Sequence, residues 1–99
     1  MSDEQKPVVV TDNHHERRFE AHVDGQLAGC LFYRERTGEM ILVHTEVADA
    51  FEGHGVGGRL VAGALDDIRV RRLTVTAWCP FARGYIERHP EYADLVASP

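Results

Sequence analysis

The stretch richest in chemistry is Phe51-Glu52-Gly53-His54-Gly55-Val56-Gly57-Gly58-Arg59-Leu60, which holds four of the nine glycines in the chain. Glycines at this density let a backbone adopt positive φ and approach a ligand closely. The stretch leads directly into a helical pattern, whose first amides lack internal partners and point at whatever precedes them. Such a terminus seats phosphate through those donors and the helix dipole, and needs no basic side chain. A flexible turn is the competing reading, but a strand before and a helix after are what a phosphate loop requires. The segment after the helix ends in Trp78-Cys79-Pro80, with no acidic residue for a ribose hydroxyl, which argues against a dinucleotide site. No Gly-Lys-Ser/Thr follows the glycines, so this is not a P-loop. The expected ligand is a pyrophosphate from another cofactor. Arg59 and Arg83 are placed to meet phosphates, or to be solvated helix residues.

Three more groups have reactive side chains. Strand periodicity puts Met40, Leu42, His44 and Glu46 on one face, so that His44 and Glu46 address a common site. Cys79 stands just before Pro80, at a helix N-terminus, where a thiol pKa is lowered; a small buried hydrophobe is the alternative. Cys30, inside a strand, reads as core. His14-His15 has no third ligand nearby and reads as no metal site.

These residues need a scaffold, and the pattern supplies one. Pro7 opens a β-branched edge strand, Val8 to Thr11, followed by a turn signal at Asp12-Asn13. Arg18 to Val23 alternates, Asp24-Gly25 turns, Leu27 to Arg36 returns, Thr37-Gly38 turns, and Met40 to Val47 forms the next strand. Beyond the glycines the period changes. Val56, Leu60, Val61, Ala64, Leu65 and Ile68 mark one face of an amphipathic helix that ends in Arg69-Val70-Arg71-Arg72. Leu73 to Trp78 is a further strand. Pro80 opens a second helix that Pro90 stops. The strand–helix–strand unit predicts a parallel pair reached by a right-handed crossover. The expected fold is α+β: an antiparallel meander, then the crossover, then a C-terminal helix, around a mixed sheet. Met1 to Lys6 reads as a flexible tail, and residues 7–99 as one domain.

The chain has 99 residues, enough for one modest core. Its net charge of −5 argues against a nucleic-acid backbone as the main partner. No apolar run approaches a membrane span, and two cysteines fit a reducing cytoplasm. On electrostatic grounds an acidic surface suits a basic acceptor.

The run Glu52-Gly53-His54-Gly55-Val56-Gly57 resembles the pyrophosphate loop of the GNAT superfamily of acetyl-CoA-dependent N-acetyltransferases. That pattern is Arg or Gln, two residues, Gly, one residue, then Gly or Ala. His44-Thr45-Glu46-Val47, Cys79-Pro80-Phe81 and His89-Pro90-Glu91-Tyr92 extend the resemblance to its short stand-alone YjdJ-like branch, over about Phe19 to Val96. The resemblance implies a truncated GNAT fold that binds acetyl-CoA between two splayed parallel strands and acetylates an unidentified amine. A non-catalytic CoA-binding or protein-interaction module is the alternative. It implies that the Val47 amide polarises the thioester carbonyl and that Gly53 to Gly58 hold the pyrophosphate. Pro80 and Phe81 would line the cofactor arm. Glu46, or His44, would serve as base, with Tyr85 the nearest acid and Cys79 near the CoA sulfur, where it would carry the acyl group as a transient thioester or tune the thiolate. The chain departs from the pattern at three points. Glu52 replaces Arg or Gln, Cys79 replaces the usual Asn, and the family's tyrosine position falls on Ile86. Only Asp12 to Arg17 replaces the helical pair that helps bind the acceptor, so the acceptor site should be open or completed by a partner protein.

Overall fold

The computed structural model describes residues 6–97; residues 1–5 and 98–99, with most of the expected tail, lie outside the described residues. Strands β1 (Val9–Asn13), β2 (Arg18–Val23), β3 (Gln26–Arg36), β4 (Glu39–Val47) and β5 (Thr74–Ala77) form one sheet in that order. The first four are an antiparallel meander, and β5 joins β4 in parallel after helix α1 (Val56–Val70). Helix α2 (Pro80–Arg88) follows, with Pro80 in its first turn, and a 3-10 segment, Pro90–Leu95, closes the fold. This is the expected α+β arrangement. Among the described residues no helix is long and apolar enough to cross a membrane.

Local chemistry accounts for most boundaries. Asp24 and Gly25 both take positive φ, 51° and 76°, the geometry that matches the twist of a two-residue hairpin. The first turn differs from expectation. β1 continues through Asp12-Asn13, and the reversal falls on His14–Glu16. The Asn13 carbonyl side chain accepts from the Glu16 N–H at 3.2 Å, and Arg17 at φ 56° completes the turn. Asn13 thus serves as a cap rather than as the turn itself.

All six expected apolar residues of α1 are buried, against Phe19, Ala21, Leu31, Tyr33, Met40 and Leu42 of the sheet. Each large side chain buried this way contributes about 1.5–3 kcal/mol. The helix lies close to the sheet: a Cβ on Gly63 would stand 2.8 Å from Val10, and one on Gly29 2.9 Å from the Glu46 carbonyl oxygen. The C-terminal segment Pro90–Leu95 has no periodicity that marks it as an element. It buries Tyr92 and Leu95, bridges Val96 to Val75, and so covers the outer edge of β5.

One irregularity decides where the reactive residues point. Phe32 pairs with His44 but Tyr33 with Leu42, so Val43 is an extra residue in β4. Such a bulge shifts the side-chain phase. Met40 and Leu42 face the helical layer, and beyond Val43 that role passes to Thr45 and Val47. His44 and Glu46 share a face, as expected, but it is the opposite one, which no helix among the described residues covers.

Candidate active site

The parallel pair β4–β5 is short. Registered pairing covers only Glu39–Leu42 against Thr74–Ala77. The Leu42 carbonyl then accepts both the Trp78 N–H (2.8 Å) and the Cys79 N–H (3.0 Å), and there the strands part. β4 continues alone to Val47, with its β5 side unpaired. The Ala48 N–H donates to Ala28 across β3 at 2.8 Å. By strand alternation the amides of Val47 and Thr45 therefore face the gap.

At the mouth of the gap lies a cleft of about 370 Å³, lined by Val47, Phe51, Glu52, Gly53, Gly55 to Gly58 and Phe81. Gly55 caps α1 in the left-handed region, at φ 75°, without a side-chain hydrogen bond, and no acidic residue occupies the first turn. The first α1 amides thus have no partner within the helix and open on the cleft. Space around Gly53 and Gly55 is clear, whereas Gly57 has a different task. A Cβ there would meet the Phe81 ring at 2.9 Å, so this glycine seats Phe81 against the helix.

Thr45 Oγ1 and Cys79 Sγ meet across the gap at 3.1 Å, and Cys79 is only 3% exposed. Sequence reasoning passed over Thr45, because without the bulge it belongs to the wrong face. It also passed over Phe51, which walls the cleft on one side and a second cavity on the other.

On the uncovered face, His44 Nε2 lies 3.2 Å from Glu46 Oε2, with the two side chains 59% and 63% exposed. The imidazole stacks on Phe32, with ring centroids 6.2 Å apart. Cys30 sits here too, between Glu20 and Glu46, rather than in the helical core. Burial raises its thiol pKa above the usual value against the opposing charge of Arg18, and each carboxylate adds a smaller rise. Glu20 is held below the usual carboxylate range by hydrogen bonds from Asn13 and Arg18. A small depression beside Cys30 and Glu46 reaches Val47, so the two faces meet at the same strand edge.

Other expected site residues lie farther out. His54 lines the second cavity, with Lys6, Val8 and Phe51. The Arg59 guanidinium donates to the Lys6 carbonyl at 3.5 Å, and Arg83 donates to the Ala77 and Trp78 carbonyls at 3.4 and 3.0 Å. Both arginines are engaged with backbone rather than aimed at the glycine amides. Tyr85 stacks on His89 at 3.8 Å and lies 3.5 Å from the Cβ position of Gly58. Burial raises its phenol pKa above the usual value, and Glu91 and Asp66 add to this. Among the described residues no cluster of His, Cys, Asp or Glu could hold a metal ion.

The model of a family described as GCN5-related N-acetyl-transferase matches residues 18–95. The chain belongs to that family. Protein NATD1 of Mus musculus is 29% identical over 86 residues, covering 85% of this chain and 78% of the relative. Protein NATD1 of Homo sapiens is also 29% identical over 86 residues, covering 85% and 76%. Among solved structures, a GCN5-like putative N-acetyltransferase from Staphylococcus aureus superposes with a TM-score of 0.68 at 23% identity, covering 97% of this chain and 92% of that one. A ribosomal-protein-alanine N-acetyltransferase from Brucella melitensis biovar Abortus gives 0.56 at 21% identity, covering 83% and 64%. At those identities the structures establish the fold. In this family member the matched residues span everything from β2 to the last 3-10 segment.

Proposed function

We propose that this chain transfers an acetyl group from acetyl-CoA to an amine. The observation that carries the reading is the junction of the unpaired β4 edge with the uncapped N-terminus of α1. An oxyanion donor and a phosphate seat there open on one cleft. The fit to CoA rests on the same groups. Unpartnered amides from Val56 to Gly58 suit a pyrophosphate, clear space at Gly53 and Gly55 admits it, and Val47 with Phe81 offers apolar walls to the pantetheine arm. Pro80 sets the start of α2 and thereby the place of Phe81.

When bound, acetyl-CoA supplies an acyl group already activated as a thioester. The Val47 amide, turned to the gap, is placed to polarise a carbonyl oxygen and stabilise the charge that develops on it. The acceptor reaches the same edge from the uncovered face, where His44 and Glu46 form one proton-accepting unit. The carboxylate orients the imidazole, and either group removes the amine proton directly or through water. The Tyr85 ring packs at Gly58 and on His89, which serves the shape of the cleft. The proton that the dyad takes from the amine passes through solvent to the departing thiolate, so that CoA leaves as the thiol. The burial of Cys79 supports a packing role for its thiol over that of an acyl carrier. The exposed dyad, with no helical pair above it, suits an acceptor carried on a larger partner.

The test is calorimetric titration with CoA, acetyl-CoA and adenosine diphosphate, followed by CoA release with a panel of amines. One-to-one CoA binding and amine-dependent release, lost in His44→Ala/Glu46→Gln with CoA binding retained, are expected. Binding without turnover on any amine would make the chain an acyl-CoA-binding module instead. No binding by any thioester or thiol would sink both readings.

A further inference from the structure

Followed inward from the glycine loop, the gap between β4 and β5 has walls, then an obstruction, then a floor. The walls are Val47 and the Phe81 ring, which is held against Gly57. The floor is the Leu42 carbonyl, closed by its two bonds to Trp78 and Cys79. Between them stands the contact of Thr45 Oγ1 with Cys79 Sγ. Neither partner is free to swing aside. Thr45 sits in β4 opposite Leu31, and a β-branched side chain in a strand is stiff at its first torsion. Cys79 caps α2, with its own N–H tied to Leu42.

Val47 and Thr45 are two residues apart, about 6.6 Å along the strand. We propose that the Thr45–Cys79 contact is an acyl-length stop, which admits an acetyl group beside the Val47 amide and excludes chains a few carbons longer. This rests on reading the cleft as the acyl-CoA site, and it assigns the buried thiol and the hydroxyl a steric task. Longer chains would have to push apart two side chains anchored to the sheet, and overpacking a rigid site is destabilising.

The experiment is calorimetric titration of the full chain with CoA, acetyl-CoA and butyryl-CoA. One misplaced methylene in such a pocket changes binding by about tenfold or more, so butyryl-CoA should bind wild type at least about tenfold more weakly than acetyl-CoA. Thr45→Ala/Cys79→Ala should bring the two thioesters together. Cys79→Ser, which keeps the size and the hydrogen bond, should preserve the wild-type ratio. If the double variant fails to fold, Cys79→Ala alone should move the ratio in the same direction by a smaller factor. Equal affinity of wild type for both thioesters, or an unmoved ratio in the opened variants, overturns the stop while leaving the CoA site intact. Absence of CoA binding altogether removes the site and the stop together.

Discussion

Helix α1 ends in two different ways. At its C-terminus the carbonyls of Asp67, Ile68 and Arg69 accept the N–H groups of Arg71, Leu73 and Arg72 at 3.0 to 3.1 Å, and Arg72 turns left-handed at φ 61° to stop the helix. Side chains then tie that end down. Arg71 pairs with Asp12 (2.5 Å) and Asp67 (2.8 Å), and Asp12 accepts from the Tyr33 hydroxyl at 2.6 Å. Burial and that bond raise the Tyr33 pKa above the usual phenol value. A similar staple joins Tyr92 to Asp66 at 2.8 Å; burial first, and the Asp66 hydrogen bond second, push Tyr92 up to about 12. At the N-terminus Gly55 supplies no side-chain cap, and the neighbouring strand edge is unpaired. One end of the helix meets its hydrogen-bonding demand internally, and the other leaves that demand for a ligand. Stability and function thus occupy opposite ends of a single element, and substitutions at each should separate them.

The largest effect is expected at the open end. Gly55→Val forces a β-branched residue into left-handed backbone, which costs about 1–2 kcal/mol, and narrows the approach to the amides. Loss of two hydrogen bonds to a charged phosphate, about 1.5–3 kcal/mol each, should weaken CoA by about a hundredfold or more by calorimetry. At the closed end, Asp12→Ala leaves the Tyr33 hydroxyl with only the longer contact to His14 Nδ1, at 3.4 Å, and Arg71 with Asp67 alone. Denaturant unfolding should show a loss of about 1–3 kcal/mol with CoA affinity unchanged. A matching loss of CoA affinity in Asp12→Ala would show that the two ends are coupled, and the comparison would fail.

How much of this was readable in the sequence follows the same division. The turns at Asp24-Gly25 and Thr37-Gly38, the α1 face and the proline-bounded α2 were legible because each rests on local chemistry: glycines at positive φ, a helical period, a ring that fixes φ. The glycine loop was legible too, since its composition and position are the signal. The bulge at Val43 was not. An extra strand residue has no composition of its own, and period-two counting across it put His44 and Glu46 with Met40 and Leu42 and left Thr45 unnoticed. Cys30 is buried, as its place inside a strand suggests, but the same blindness to sheet faces hid that it lies between two carboxylates on the side away from α1. Gly57 reads from the sequence as part of the phosphate cradle, and the position of Phe81 adds a packing role that no local pattern shows. The edge cover by Val96 depends on a long-range bridge to Val75, which no local pattern announces.

The smallest predicted effect tests the open end most finely, because it alters charge without altering shape. Glu52 stands at the first position of the loop pattern, where the family favours Arg or Gln, and its side chain lines the cleft. If the unpartnered amides alone hold the pyrophosphate, this exposed carboxylate opposes the ligand at all times. Glu52→Gln removes the repulsion, and Glu52→Arg reverses it. Exposed charge pairs contribute about 0.2–1 kcal/mol, so Glu52→Gln should tighten CoA by roughly two- to fivefold, and Glu52→Arg somewhat more. The gain should shrink as salt shortens the screening length from about 10 Å at 0.1 M toward 3 Å at 1 M. Thermal stability should be nearly unchanged, because Glu52 closes the short 3-10 turn Asp49–Phe51 through its backbone N–H, which both substitutions keep. Titrations of CoA into wild type and both variants at low and high salt decide it. Tighter binding that fades with salt places the phosphates at the start of α1, and unchanged binding in both variants places them elsewhere.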